Sequence, residues 1–209
     1  MFTLLHFVFG FGVGFIGVIP PGLLNLTAAK ISVKQSRRAA LVFAIGASLI
    51  VIAQVYVGVF FSKILNDNPE VLVTVEKFAI AVFIALSIFF FIKARLDNAP
   101  EIEPVDKSDV KLFSQGIILS ALNIFPIPFY IGFSSFLAAR GLFTFEYPMA
   151  HLFIIGASSG TFMMLFAYIK YVKKFGFDSH TFARKINYIL SALTLAIALF
   201  TLVRIYEVF

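Results

Sequence analysis

The sequence predicts an all-α membrane protein in which six transmembrane helices form two inverted three-helix repeats, with helices 1 and 4 broken by prolines. Hydrophobic residues make up 60% of the 209 residues and charged residues 13%, well below the roughly 25% of a soluble domain. The mean hydropathy is +0.97. In addition, the segment Phe43-Ala-Ile-Gly-Ala-Ser48 recurs as Phe153-Ile-Ile-Gly-Ala-Ser158. These observations indicate that lipid surrounds most of the chain and that one membrane unit occurs twice.

Six apolar runs are long enough to cross a bilayer, because a span takes about 20 mainly apolar residues. They cover residues 2–29, 39–61, 71–92, 113–139, 147–169 and 186–203. The duplicated segment lies in the second and fifth runs, so we assign residues 1–96 to the first repeat, 97–111 to a linker and 112–209 to the second repeat. Because each repeat holds an odd number of spans, the second one enters the membrane from the opposite side, as in many transporters.

The positive residues predict the orientation of the spans, since short loops rich in Lys and Arg stay in the cytoplasm. Of the 17 Lys and Arg residues, all but four lie in or next to the first, third and fifth connections. The four others are Lys63, Lys77, Arg140 and Arg204. Both termini are therefore predicted on the non-cytoplasmic side. The linker is predicted to be cytoplasmic and flexible, because it contains two prolines and five acids between Asp97 and Asp109.

The first and fourth spans contain prolines in corresponding places. The residues concerned are Pro20, Pro21, Gly22 and Asn25 in the first span, and Asn123, Pro126 and Pro128 in the fourth. Proline removes a backbone donor and clashes with the preceding turn, and hydrocarbon tolerates such a break only where it faces protein or a watery cavity. Paired broken helices favour a binding site, and a simple kink in each helix is the alternative.

A small neutral zwitterion suits these breaks, because the ends of half-helices present N–H groups to anions and carbonyls to cations. No Asp, Glu, Lys or Arg lies near the middle of any span, so a charged side chain on the ligand would find no partner there. We predict that the backbone around the prolines holds the ligand together with Asn25 and Asn123. The alternative role for both Asn residues is hydrogen bonding between helices.

Small residues in the duplicated segments are predicted to serve helix packing or gating. They are Gly46, Ser48, Gly156 and Ser158. The pairs Gly10 and Gly14, and Gly156 and Gly160, have the four-residue spacing that lets helices approach closely. Contact with a second copy of the chain, giving a homodimer, and contact with a ligand are the alternatives.

Other chemistry is not indicated. The chain has no Cys, which excludes disulfides and thiol redox steps. His6 and His151 are predicted at the outer ends of spans and His180 in a cytoplasmic loop, all interfacial or solvated, although a proton role for His6 or His151 stays open. Gln54 and Tyr168 are predicted to form packing hydrogen bonds. We expect no enzyme activity, cofactor, metal or nucleic acid, since the spans hold no catalytic constellation and the positive residues form no single basic face.

Four features occur together along the chain: the Pro21-Gly22 break, the basic connection from Lys34 to Arg38, the glycine in span two, and Phe113-x-x-Gly116 leading to Asn123. In these features, and over nearly its whole length, the sequence resembles the LysE/RhtB-type amino-acid exporters. The resemblance implies an exporter of amino acids or similar metabolites in the bacterial inner (plasma) membrane, driven by the proton gradient. Two motifs differ: the family's Pro-Gly-Pro is Pro20-Pro21-Gly22 here, and its Asn-Pro-Lys is replaced by Asn123-Ile-Phe-Pro126.

Taken together, these features favour a secondary transporter that exports small neutral amino acids or similar zwitterionic metabolites by alternating access. Its expected partners are the small-molecule substrate and the lipid bilayer. The alternative is a non-transporting integral membrane subunit that uses its small-residue faces to pack against a partner protein.

Overall fold

Helices account for all regular secondary structure in the part of the chain that the computed structural model describes, residues 2–19, 22–96, 108–175 and 179–207. They are α1 (Phe2–Gly17), α2 (Leu23–Lys34), α3 (Arg37–Asp67), α4 (Pro69–Arg95), α5 (Asp109–Leu122), α6 (Pro126–Ala139), α7 (Met149–Phe175) and α8 (Ser179–Glu207). The predicted all-α class is confirmed over these ranges. Pro20, Pro21 and linker residues 97–107 lie outside them.

The membrane-spanning potential of the helices varies. By length and composition, α3 and the stretch Met149–Tyr171 of α7 are each able to cross a membrane, and α5 with α6 qualifies as a single span bent by 63°. Shorter apolar helical stretches occur at Thr3–Gly17, Phe83–Ile92 and Asn187–Val203. The apolar run at residues 2–29 yields no single long helix, because it is divided between α1 and α2. The helical membrane class therefore agrees with the sequence, and the count of six spans stays a prediction.

The helices belong to two compact units. One contains α1, α2, α5, α6, α7 and α3 as far as Ile64, and the other contains α4 and α8. Each unit thus takes helices from both predicted sequence repeats.

Glycines bring two pairs of helices into backbone contact in the first unit. On α1 and α7, Gly10 lies against Phe153, Gly14 against Ala157, Gly156 against Phe7 and Gly160 against Phe11. On α3 and α5, Gly46 lies against Phe113 and Gly116 against Phe43. A Cβ atom at any of these six glycines would overlap the carbonyl oxygen of the residue it faces. Small residues allow such close approach between helices in lipid, and along α1 and α7 the contacts advance together, so these two helices run parallel.

Serine pairs connect further helices. Ser158 Oγ on α7 donates to the carbonyl oxygen of Ser48 on α3 at 2.7 Å. In the second unit, Ser87 and Ser191 each donate to the other's carbonyl oxygen, and both distances are 2.9 Å. Interhelical hydrogen bonds of this kind contribute about 0.6 kcal/mol each in membranes. The α4–α8 pair is therefore held by two mutual bonds.

His6 differs from its predicted environment. Its side chain is fully buried, it accepts a hydrogen bond at Nε2 from the Thr144 N–H at 3.1 Å, and its ring lies 5.5 Å from that of Phe143. The prediction of a solvated His6 is wrong because the loop after α6 packs onto it, and its position at the membrane interface stays a prediction. Gly141 follows the end of α6 and turns the chain into this loop. Its φ is +67°, a left-handed conformation that glycine adopts without steric cost. His151 is exposed, as expected.

The glycine contacts yield a paired test of stability. We expect Gly10→Ala to lower the free energy of unfolding by about 1–3 kcal/mol, because the added methyl group forces the α1 and α7 backbones apart. Gly12→Ala on the same helix is the matched control, since the space beside Gly12 is open, and it should leave stability unchanged or slightly raised. Thermal unfolding of the detergent-solubilised variants measures the difference, and equal melting temperatures would contradict the packing described.

Candidate functional site

The first helix break follows α1. Beyond Gly17 the backbone hydrogen bonds join residues that are three apart, as in a tighter helical turn. The N–H of Val18 donates to Phe15 O at 3.4 Å, and that of Ile19 donates to Ile16 O at 3.1 Å. The next helix starts at Leu23 with Gly22 as its N-cap. The carbonyls of Val18 and Ile19 therefore leave the helical hydrogen-bonding pattern and need other donors.

Two side chains supply these donors. Asn25 Nδ2 donates to Val18 O at 2.7 Å, and the Tyr168 hydroxyl on α7 donates to Ile19 O at 2.7 Å. The side chains of Tyr168 and Asn25 also share a hydrogen bond. Asn25 is only 2% exposed. The structure thus places Asn25 at the break, as the sequence suggested, with its amide group satisfying a carbonyl of the interrupted helix.

The second break separates α5 from α6, whose axes differ by 63°. The N–H of Asn123 donates back to Ser120 O at 3.1 Å. Gln54 on α3 reaches the same place, and its Nε2 donates to Ser120 O at 2.9 Å and to Asn123 O at 2.7 Å. The Asn123 side chain itself is exposed. The sequence predicts packing hydrogen bonds for Gln54 and Tyr168, and only the fold connects these side chains to the breaks.

The two breaks are satisfied in the same manner. In each case a side chain from a long helix of the other predicted repeat donates to the carbonyl end of the interrupted one: Tyr168 of α7 serves α1, and Gln54 of α3 serves α5. A buried acceptor left without a donor costs about 1–3 kcal/mol. These bonds therefore stabilise the irregular backbone at the two breaks.

The two breaks also adjoin each other. A Cβ atom at Gly17, the last residue of α1, would lie 2.7 Å from Cε1 of Phe129 in the first turn of α6. Leu24 of α2 belongs to one apolar cluster with Val18 and Leu119. The end of α1 thus contacts the start of α6, and α2 packs on α5.

The starts of α2 and α6 differ in the N–H groups that they present. Pro126 and Pro128 have no N–H, and the N–H groups of Ile127 and Phe129 donate to Ile124 O at 3.2 Å and Phe125 O at 3.4 Å. The first turn of α6 therefore has no N–H left for a ligand. In contrast, α2 starts at Leu23 without proline and without a side-chain cap at Gly22, and both residues are exposed. The start of α2 is therefore a better binding site for an anion than the start of α6.

Buried polar atoms without a partner complete the description. Within the described ranges they are Thr27 Oγ1, Ser48 Oγ, Gln54 Oε1 and Ser120 Oγ. Gln54 and Ser120 are 6% and 1% exposed, and one hydrogen bond joins them. Ser120 carried no distinguishing signal in the sequence, because serine in a helix commonly bonds to its own backbone. Gly46 and Gly156 lie in the helix contacts described above.

Known proteins provide an independent comparison. Searches of curated proteins and of solved structures give no match. The family model "LysE type translocator" matches residues 15–204, a range that contains both breaks and the side chains that satisfy them. The resemblance noted in the sequence is thereby confirmed. This chain belongs to the LysE type translocators, a family of membrane transporters and not of enzymes.

Proposed function

We propose that this translocator is a secondary transporter that exports small neutral amino acids or similar zwitterionic metabolites across the bacterial inner membrane by alternating access. The contact between the two helix breaks, through Gly17 and Phe129, carries this proposal. In the proposed site, the uncapped start of α2 and the carboxyl end of α5, rich in carbonyl oxygens, face the same substrate. Opposite partial charges at these ends, about half a charge each, suit a carboxylate and an ammonium group.

An inverted repeat is supported by contacts between corresponding positions. Ser48 and Ser158 close the two copies of the duplicated segment, and they bond to each other. A twofold axis through this pair would exchange α3 with α7 and α1 with α5. The glycine contact between α1 and α7 would then correspond to the glycine contact between α5 and α3. The mutual bonds of Ser87 and Ser191 have the same twofold character. In transporters, such halves rock against each other around a fixed site.

The distribution of charged residues in the chain favours a substrate whose side chain is neutral. The ion pair between Arg38 and Asp109, 3.2 Å long, joins the first turns of α3 and α5 and is largely exposed. The helix breaks contain no Asp, Glu, Lys or Arg from Val18 to Asn25 or from Ser120 to Pro128. A substrate with a third charge would therefore lose its hydration without gaining a partner.

Replacing the two asparagines should separate binding from stability. We expect Asn123→Ala to slow transport several-fold at unchanged melting temperature, because its side chain is exposed beside the break. Asn25→Ala should slow transport and also lower the free energy of unfolding by about 1–3 kcal/mol, since Val18 O loses its donor. Counterflow of labelled alanine in liposomes that contain only this chain measures transport.

Ser159→Ala is the control for these variants, because the Ser159 hydroxyl bonds only to its own helix, at Ile155 O. Parental alanine flux in the Asn25→Ala/Asn123→Ala double variant would refute the assignment of the site. If the unmodified chain moved none of the neutral amino acids in a labelled panel, the transport proposal itself would fail.

The orientation can be tested with single cysteines, because the chain has none of its own. Ser108 is exposed and forms no cap hydrogen bond, and Tyr147 is 80% exposed. A membrane-impermeant thiol reagent added to spheroplasts should label Tyr147→Cys at once, and Ser108→Cys only after permeabilisation. The opposite pattern would invert the proposed topology, and equal labelling of both would exclude it.

A further inference from the structure

We propose that Gln54 and Ser120 bind the ammonium group of the transported molecule, at the carboxyl end of α5. This inference rests on the proposed function and adds to it the residues that recognise one chemical group of the substrate. It follows from two buried oxygen atoms for which the fold itself provides no hydrogen-bond partner.

The orientation of the Gln54 amide is fixed by its surroundings. Both atoms that face its Nε2 are backbone carbonyl oxygens, those of Ser120 and Asn123. A carbonyl oxygen accepts and never donates, so the NH₂ side of the amide has to turn toward them. Gln54 Oε1 is therefore the atom without a partner, and exchanging the two ends of the amide would leave both carbonyls facing another acceptor.

Ser120, the residue to which Gln54 is bonded, has a second such atom. Its carbonyl oxygen accepts from Gln54 at 2.9 Å, whereas its hydroxyl has no partner and the residue is 1% exposed. By contrast, the equally buried Ser134 of α6 donates to Tyr130 O at 2.6 Å. Buried side-chain oxygens without partners are uncommon in folded proteins, and two of them on residues that are bonded to each other point to a ligand that donates hydrogen bonds.

The charge of that ligand follows from its position. Ser120 lies in the last turn of α5, which ends at Leu122, and a helix carboxyl end carries about half a negative charge. The two atoms without partners are the oxygens of an amide and of a hydroxyl. An ammonium group offers three donors and a positive charge, whereas a divalent metal ion usually takes six or more oxygen ligands. A primary ammonium group therefore fits best.

Replacing Ser120 by Ala distinguishes this role from a structural one. The hydroxyl makes no bond within the fold, so its removal should leave the melting temperature of the ligand-free protein unchanged or slightly higher. If it binds ammonium, the same change should weaken binding of an amine roughly tenfold or more, the usual effect of losing a hydrogen bond to a charged group. Ser134→Ala is the matched control, since it removes a buried hydroxyl that already has a partner. Ser120→Thr retains the hydroxyl and should retain binding.

Thermal-shift titration with methylammonium, tetramethylammonium and sodium chlorides at equal ionic strength tests the site without reference to transport. We expect methylammonium alone to raise the melting temperature of the unmodified protein and of Ser134→Ala, and Ser120→Ala to lose this shift. Titration with alanine and with lactate, which has a hydroxyl in place of the amine, should show the same dependence on Ser120 for alanine only.

The outcomes separate the site from the transport function. A shift by methylammonium that depends on Ser120, in a protein that moves no amino acid in liposomes, would support the ammonium site and refute the proposed function. Alanine transport with the same half-saturating concentration in Ser120→Ala and in the parent would overturn the ammonium site and leave transport standing. An equal shift by sodium, or none by methylammonium, would also overturn it.

Discussion

The requirement that backbone polar groups find partners in lipid governs this structure. Water does not reach the hydrocarbon to satisfy a free carbonyl, so an interrupted helix has to be completed by the protein itself. Here α1 is completed by Asn25 and Tyr168, and α5 by Gln54. The two helix breaks and the side chains that satisfy them therefore form one device. Irregular backbone with concentrated partial charges is thereby stabilised within a helical protein whose regular helices present only side chains.

The glycine contacts make this device possible. Tyr168 and Gln54 belong to α7 and α3, the two helices whose glycines touch the backbones of α1 and α5. Close backbone approach along these helices brings the polar side chain of one helix within hydrogen-bonding distance of the broken end of the other. The cost is that no methyl group fits at these positions. In the transport cycle proposed above, the two halves shift along these close contacts.

Much of the helical organisation was predictable from residue type and spacing, because apolar runs, prolines and glycines act locally. The helical class and the family followed from such signals, and the prolines at 126 and 128 stand at the start of α6. The partners of the breaks were not predictable. Gln54 is the one amide side chain in the apolar run 39–61, which signals a need for a partner without identifying it. Its partner lies 66 residues away in sequence, and only the tertiary fold shows it. His6 was misplaced for the same reason, since the loop that buries it is distant in sequence.

We propose that the two breaks, which adjoin each other in this structure, separate as substrate passes through the transporter. A disulfide or a short thiol cross-link between Gly17→Cys and Phe129→Cys tests it directly, because the chain has no other cysteine and these positions adjoin each other. Purified protein in liposomes should cross-link readily, lose alanine counterflow when cross-linked, and recover it after reduction. A pair that fails to cross-link, or a cross-linked protein that transports alanine at the parental rate, would contradict the account.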